Sequence, residues 1–163
     1  MDWLRLIIRF RRKCYFPHSS AGFIKENIPL NVCNSYYKFC FERHPYDKFI
    51  SRFYWRNKHN KLNFDQVVNE YNHDKIGSKH TDLYCINGNL AVDKIYKYEE
   101  MEDSLHDLTK RLNLKKPLKL LKYRAKGSFR KDHKRSSEFL SDDQKNKIFE
   151  IDSDVFTIMG YER

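Results

Sequence analysis

Residues 36–55 read Tyr36-Tyr-Lys-Phe-Cys-Phe-Glu-Arg43-His-Pro45-Tyr-Asp-Lys-Phe-Ile-Ser51-Arg-Phe-Tyr-Trp55. Tyr36 to Phe41 is a short aromatic run of the length a buried strand uses. Pro45 interrupts it where a loop or the first turn of a helix accepts proline, because the missing N–H is not needed there. Beyond it Tyr46, Phe49, Ile50 and Phe53 recur at helical spacing and define one apolar face. Asp47 and Ser51, one helical turn apart, share a different face. The pattern predicts an interior strand through Phe39–Phe41, Arg43 at its end, and a helix opened by Pro45 with Ser51 about two turns in. A guanidinium and a hydroxyl held this way bind one phosphate, the arginine through charge-assisted bonds and the serine as an added donor. The plainer reading is a surface arginine and a helical serine in any α/β domain.

Composition bounds what surrounds this unit. A chain of 163 residues is read as a single domain, 1–163, large enough for a real core. Aromatic residues make up 15%, which argues against disorder throughout. Lys and Arg number 32 against 22 acids, a net charge of +10, which suits an anionic partner: nucleic acid, a polyanionic sugar, a membrane surface or a phosphorylated cofactor. Twelve of the basic residues fall between Lys110 and Arg135 with one acid, Asp132, so this run at +11 matches the whole excess and the remainder is close to neutral. A solvated loop is the ordinary reading of such a run. Cys14, Cys33, Cys40 and Cys85 form no Cys-x-x-Cys pair and, with seven scattered histidines, no zinc spacing. Cys40 is read as a buried thiol and no metal is expected.

At the N-terminus, arginines break the apolar run after Leu4 and after Ile8, so it cannot span a bilayer. Its charges follow the apolar part and no small-residue cleavage site appears, unlike a signal peptide. A strand or short helix packed on the domain is expected there, a basic segment lying on a membrane being the alternative. Ser19 or Ser20 is positioned to cap a short helix burying Ala21, Ile24 and Ile28. Asn63 heads another helix, with Gln66 at the capping-box position and Phe64, Val67, Val68 and Tyr71 on one face. Asp82–Ile86 and Leu90–Tyr98 flank Asn87-Gly88-Asn89, a hairpin signal. Met101, Leu105, Leu108 and Leu112 form a helical core stripe that ends before Pro117. Ser141-Asp-Asp-Gln144 is a capping box heading a last helix with Ile148, Ile151, Val155 and Met159 inward and Gly160 at its C-terminal end.

The stretch Phe39-Cys-Phe-Glu-Arg43-His-Pro45-Tyr46-Asp47-Lys-Phe-Ile-Ser51 resembles the 3′-phosphate-binding motif of sulfotransferases, in the branch that includes carbohydrate sulfotransferases. That pattern is an aromatic strand, Arg-Asn-Pro-Tyr/Trp-Asp-Arg, and a serine eight residues after the first arginine. His44 stands here for the asparagine and Lys48 for the second arginine. Ile95-Tyr-Lys97-Tyr98-Glu99 is similar to the family's strand ending Arg-Tyr-Glu, with lysine for the arginine, which keeps charge but loses the planar fork. Asp154-Val-Phe156-Thr-Ile-Met-Gly160-Tyr161-Glu162 resembles its terminal Asp-x-x-x-Phe-Gly-Tyr-Glu pattern, with an insertion between the aromatic and the glycine. His18-x-x-Ala21-x-x-Ile24-Lys25 is similar to a segment preceding the strand in bacterial and Golgi relatives.

The resemblance implies an α/β fold, a parallel sheet flanked by helices, of the P-loop-like sulfotransferase kind without its N-terminal phosphate-loop unit. It implies 3′-phosphoadenosine-5′-phosphosulfate as co-substrate, a hydroxyl acceptor, carbohydrate first, and no metal. Arg43 and Ser51 would hold the 3′-phosphate. Lys126, Arg130, Lys134 and Arg135 take a general role in a basic loop over the nucleotide. His18 is a candidate general base, its unperturbed pKa lying near neutrality, or else a helix-capping or backbone-bonding histidine. The glycine-rich Lys-x-Gly-Gly-Thr loop that holds the 5′-phosphosulfate in such enzymes does not occur in the sequence. The chain is therefore expected to be the C-terminal two-thirds of a sulfotransferase domain, or a shortened member with transfer absent or far below that of a full-length relative. The compartment stays open: cytoplasmic if complete, Golgi lumen if part of a membrane-anchored enzyme. The competing readings are a basic nucleic-acid-binding protein, disfavoured because the aromatics fall on core faces, and an anionic-glycan-binding protein without catalysis.

Overall fold

The computed structural model describes residues 18–57, 63–71, 80–120 and 136–163. The chain divides into two units, one holding residues up to Lys38 with Thr81–Asp93, the other Phe39–His80 with Lys94–Arg163.

In the first unit, α1 (Ala21–Asn27) begins where Ser20 Oγ accepts the Phe23 N–H at 3.2 Å. The helix is short and buries none of its residues, so the expected burial of Ala21 and Ile24 is not found, and Ile24 is exposed. Pro29 opens α2 (Leu30–Ser35), which buries Cys33. The expected hairpin forms from β2 (Cys85–Ile86) and β3 (Asn89–Leu90), paired antiparallel. Asn87 and Gly88 both take positive φ, 51° and 78°, as a two-residue primed turn requires. The second arm is shorter than expected because Asp93 redirects the chain: its N–H donates to the Lys38 carbonyl at 2.8 Å and its carboxylate accepts the Lys38 N–H at 2.7 Å.

In the second unit, β1 (Phe39–Glu42) pairs in parallel with β4 (Lys94–Lys97), Phe39 opposite Lys94 and Glu42 opposite Lys97. The result is mixed α/β, a small parallel sheet with helices beside it. Two expectations need correction. Phe39 is exposed, so the strand is not covered along its length as expected of an interior strand, and among the described residues its strand partner is β4. Cys40 is half-buried rather than a buried thiol. With four residues, the strand offers only Glu42 full cover.

The helix opened by Pro45 is present as α3 (Pro45–Arg56), with Tyr46, Phe49, Ile50 and Phe53 buried as its periodicity predicts. Their neighbours are Val67 and Val68 of α4 (Phe64–Asn69), Tyr71, Leu140, and Ile148 and Phe156 of the last helix. Phe49 stands edge-on to Phe64 and Tyr71, centroids 5.4 and 5.0 Å away. Asn63 caps α4 by accepting the Asp65 N–H at 2.8 Å.

A 3-10 turn (Tyr98–Glu100) leads from β4 into α5 (Met101–Arg111). Here the leucine stripe is only partly inward: Ser104 and Leu108 are buried, whereas Leu112 is exposed. The cause is the helix end. Asn113 adopts φ 48°, its N–H reaches Lys110 O and the Leu114 N–H reaches Thr109 O, so the chain turns away at Leu112. After α6 (Ser136–Phe139) comes α7 (Asp142–Met159), headed by the expected capping box, Ser141 and Gln144 each accepting the other's backbone N–H. Gly160 closes it at φ 62°, with the Tyr161 N–H on Phe156 O at 3.1 Å. No helix among the described residues is long and apolar enough to cross a membrane.

Candidate functional site

Because β1 and β4 are parallel, their carboxyl ends open at one edge, the edge at which open α/β sheets receive ligands. Arg43 is the first residue beyond β1 there. Its guanidinium carbon lies 5.1 Å from the centre of the Tyr98 ring, a cation–π stack. One terminal nitrogen is 3.9 Å from Asp47 Oδ1, a long ion pair. Its Nε is buried and has no hydrogen-bond partner among the described residues. Leaving such a donor unmade carries a desolvation cost of about 1–3 kcal/mol, which an acceptor would relieve. Asp47 lies in the first turn of α3, and exposed Ser51 stands one turn further along the same face. The structure thus brings Arg43 to the face that carries Ser51, with Asp47 between them.

Two carboxylates hold the backbone around Arg43. Glu42, almost fully buried, accepts the Arg43 N–H at 2.9 Å and the Lys48 ammonium at 2.7 Å through the same oxygen. Lys48 is thereby turned toward the strand end. Glu99 accepts the His44 N–H at 2.9 Å through one oxygen and the Tyr161 hydroxyl at 2.8 Å through the other. His44 caps α3: its Nδ1 accepts the Tyr46 N–H at 3.3 Å and its Nε2 lies 3.2 Å from the Glu162 carbonyl oxygen. An amide only donates and a carbonyl only accepts, so the proton resides on Nε2. Tyr161 also stacks beside His44, ring centres 4.8 Å apart. Burial, then the bond to Glu99, pushes the Tyr161 hydroxyl well above the ordinary tyrosine pKa.

A second polar centre lies in the same unit. Asp152, 1% exposed, accepts the Tyr71 hydroxyl at 2.8 Å and lies 3.2 Å from His80 Nδ1. It sits at a break in α7, with φ −105° and ψ 22°. Burial alone works against its charge, but the His80 hydrogen bond and charge, the Tyr71 bond and the Lys48 charge outweigh it and hold the carboxyl below the ordinary aspartate value. Tyr71 is pushed far upward, by burial first and then by Asp152.

Of the other residues singled out in the sequence, His18 is exposed in a left-handed conformation, φ 65°, and belongs to the first unit, while Arg43 and Ser51 belong to the second. Lys126, Arg130, Lys134 and Arg135 lie outside the described residues, as do the N-terminal segment and Cys14. The supporting roles of Glu42, Glu99 and Tyr161, and the Asp152 centre, were not drawn from the sequence. One signal was present for the last: Asp152 occupies a core position between Ile148 and Val155. Among the described residues no three His, Cys, Asp or Glu side chains converge as a metal-binding group. No family model matches this chain, and no curated protein or solved structure shows significant similarity to it.

Proposed function

We propose that the second unit binds the 3′-phosphate of 3′-phosphoadenosine-5′-phosphosulfate and serves sulfate transfer to a hydroxyl acceptor of the carbohydrate class, within a sulfotransferase-type α/β fold. The observation that carries this reading is the buried Nε of Arg43, without a hydrogen-bond partner among the described residues, at the carboxyl edge of a parallel strand pair. The surroundings fit a phosphate. A guanidinium offers two parallel donors, Ser51 adds a hydroxyl on the same face, and the Tyr98 ring restrains the arginine without consuming its N–H groups. The nucleotide supplies the activated sulfuryl group; this chain's residues bind and orient its 3′ end. His18 remains the candidate base by resemblance, and Lys126, Arg130, Lys134 and Arg135 the candidate nucleotide-facing cations.

Calorimetry with adenosine 3′,5′-bisphosphate and the 5′-monophosphate tests the site. The bisphosphate is expected to bind more tightly, and Arg43→Ala to remove most of the difference, about 1.5–3 kcal/mol for a hydrogen bond to a charged group. Arg43→Lys restores part of it, since an ammonium lacks the planar fork. Equal affinity of the unmutated chain for both nucleotides overturns the assignment.

A further inference from the structure

Arg43 lies between two pinned peptide groups. Its own N–H is held by Glu42, the residue before it, and the next N–H, of His44, is held by Glu99 from the turn after β4. The second contact is long-range: Glu99 reaches the β1 end from the neighbouring strand's end, where Glu42 and Lys97 are paired. Glu99 also adjoins Tyr98, whose ring stacks on the Arg43 guanidinium at 5.1 Å. Its other carboxylate oxygen takes the Tyr161 hydroxyl, and Glu162 meets His44 through its carbonyl. One carboxylate therefore ties together the loop bearing Arg43, the turn bearing the ring beneath it, and the segment after α7. Neither oxygen is directed at the Arg43 guanidinium, whose carboxylate contact is Asp47.

From this arrangement we propose that Glu99 is the positioning residue of the anion site: it fixes the Arg43 backbone and the Tyr98 ring together, while touching no ligand itself. The inference rests on the reading that Arg43 receives a phosphate. The two hydrogen bonds also rank in importance. The bond to His44 N–H acts on the Arg43 loop directly. The shorter bond from Tyr161 steadies the carboxylate, while the same hydroxyl meets the Glu42 carbonyl only at 3.3 Å, so its hold on the Arg43 loop is the weaker one.

The test compares the full chain with Glu99→Ala, Glu99→Gln and Tyr161→Phe. It measures the ratio of affinities for adenosine 3′,5′-bisphosphate over the 5′-monophosphate. Loss of positioning is expected to cut this ratio about tenfold in Glu99→Ala, equivalent to about 1.4 kcal/mol, with the 5′-monophosphate bound as before. Glu99→Gln keeps one carbonyl oxygen for the His44 N–H and should retain more of the ratio. Tyr161→Phe should retain most of it. Amide exchange at His44 gives a readout independent of any nucleotide, faster exchange being expected in Glu99→Ala and little change in Tyr161→Phe. A ratio preserved in Glu99→Ala, or unchanged exchange at His44, overturns the positioning role while leaving the Arg43 site standing. No 3′-phosphate preference in the unmutated chain overturns both.

Discussion

Asp152→Ala is expected to lower stability by about 1–3 kcal/mol for each interior group left without its acceptor. The loss has two sources. One is the Tyr71 hydroxyl and the other the His80 ring, each losing its partner on Asp152. Asp152→Asn keeps the shape and one acceptor oxygen, so a smaller loss is expected. The pH dependence follows from the sign of the shift. The folded-state pKa of Asp152 is depressed, so its stabilising contribution is fully present above the unfolded aspartate value, roughly 3.9. It is lost as pH falls through the lower folded-state value. Denaturant melts of the unmutated chain and Asp152→Asn should accordingly differ by a constant amount near neutrality and converge below about pH 4. A difference that grows on acidification contradicts the account.

Phe49→Ala is the second large expected effect, about 3–5 kcal/mol for an aromatic side chain deleted from a close-packed site. Phe49 is 1% exposed, between the edge contacts to Phe64 and Tyr71, and Ile50 beside it is 0% exposed, so the neighbours have little room to collapse inward. Ser51→Ala on the opposite side of the same helix is exposed and is expected to leave stability within about 0.5 kcal/mol. Equilibrium unfolding of the two variants side by side checks this. Comparable losses at both positions would mean that α3 is not packed as described.

The helices were the most legible part of the sequence because their signals are local. Periodicity set the α3 face, and Ser141 with Gln144 marked the α7 start. The hairpin turn was equally local, since Asn87-Gly88 alone satisfies two consecutive positive φ values. The parallel pairing of β1 with β4 is not local: its partners lie more than fifty residues apart, and no turn fixes their register. Leu112 fits the helical stripe by spacing, yet the left-handed Asn113 ends the helix first. In the candidate site, type and spacing put Arg43 at the strand end and Ser51 on α3, and both positions are found there. Glu99 and Tyr161 fell within recognisable patterns but without roles, because each role depends on a partner in a remote segment.

The three faces of α3 constrain how the protein can vary. Pro45, Tyr46, Phe49, Ile50 and Phe53 face the core, Asp47 and Ser51 face the Arg43 side, and Lys48 and Arg52 reach Glu42 and the Tyr71 ring. Of the residues from Pro45 to Phe53, exposed Ser51 leaves most room for substitution, and the others are buried or paired. In a stability-based saturation scan this stretch should stand out as an intolerant block interrupted at Ser51. Changes of ligand preference would then accumulate across the edge instead, in the turn at Tyr98, where a new side chain alters what lies under the arginine without disturbing the helix.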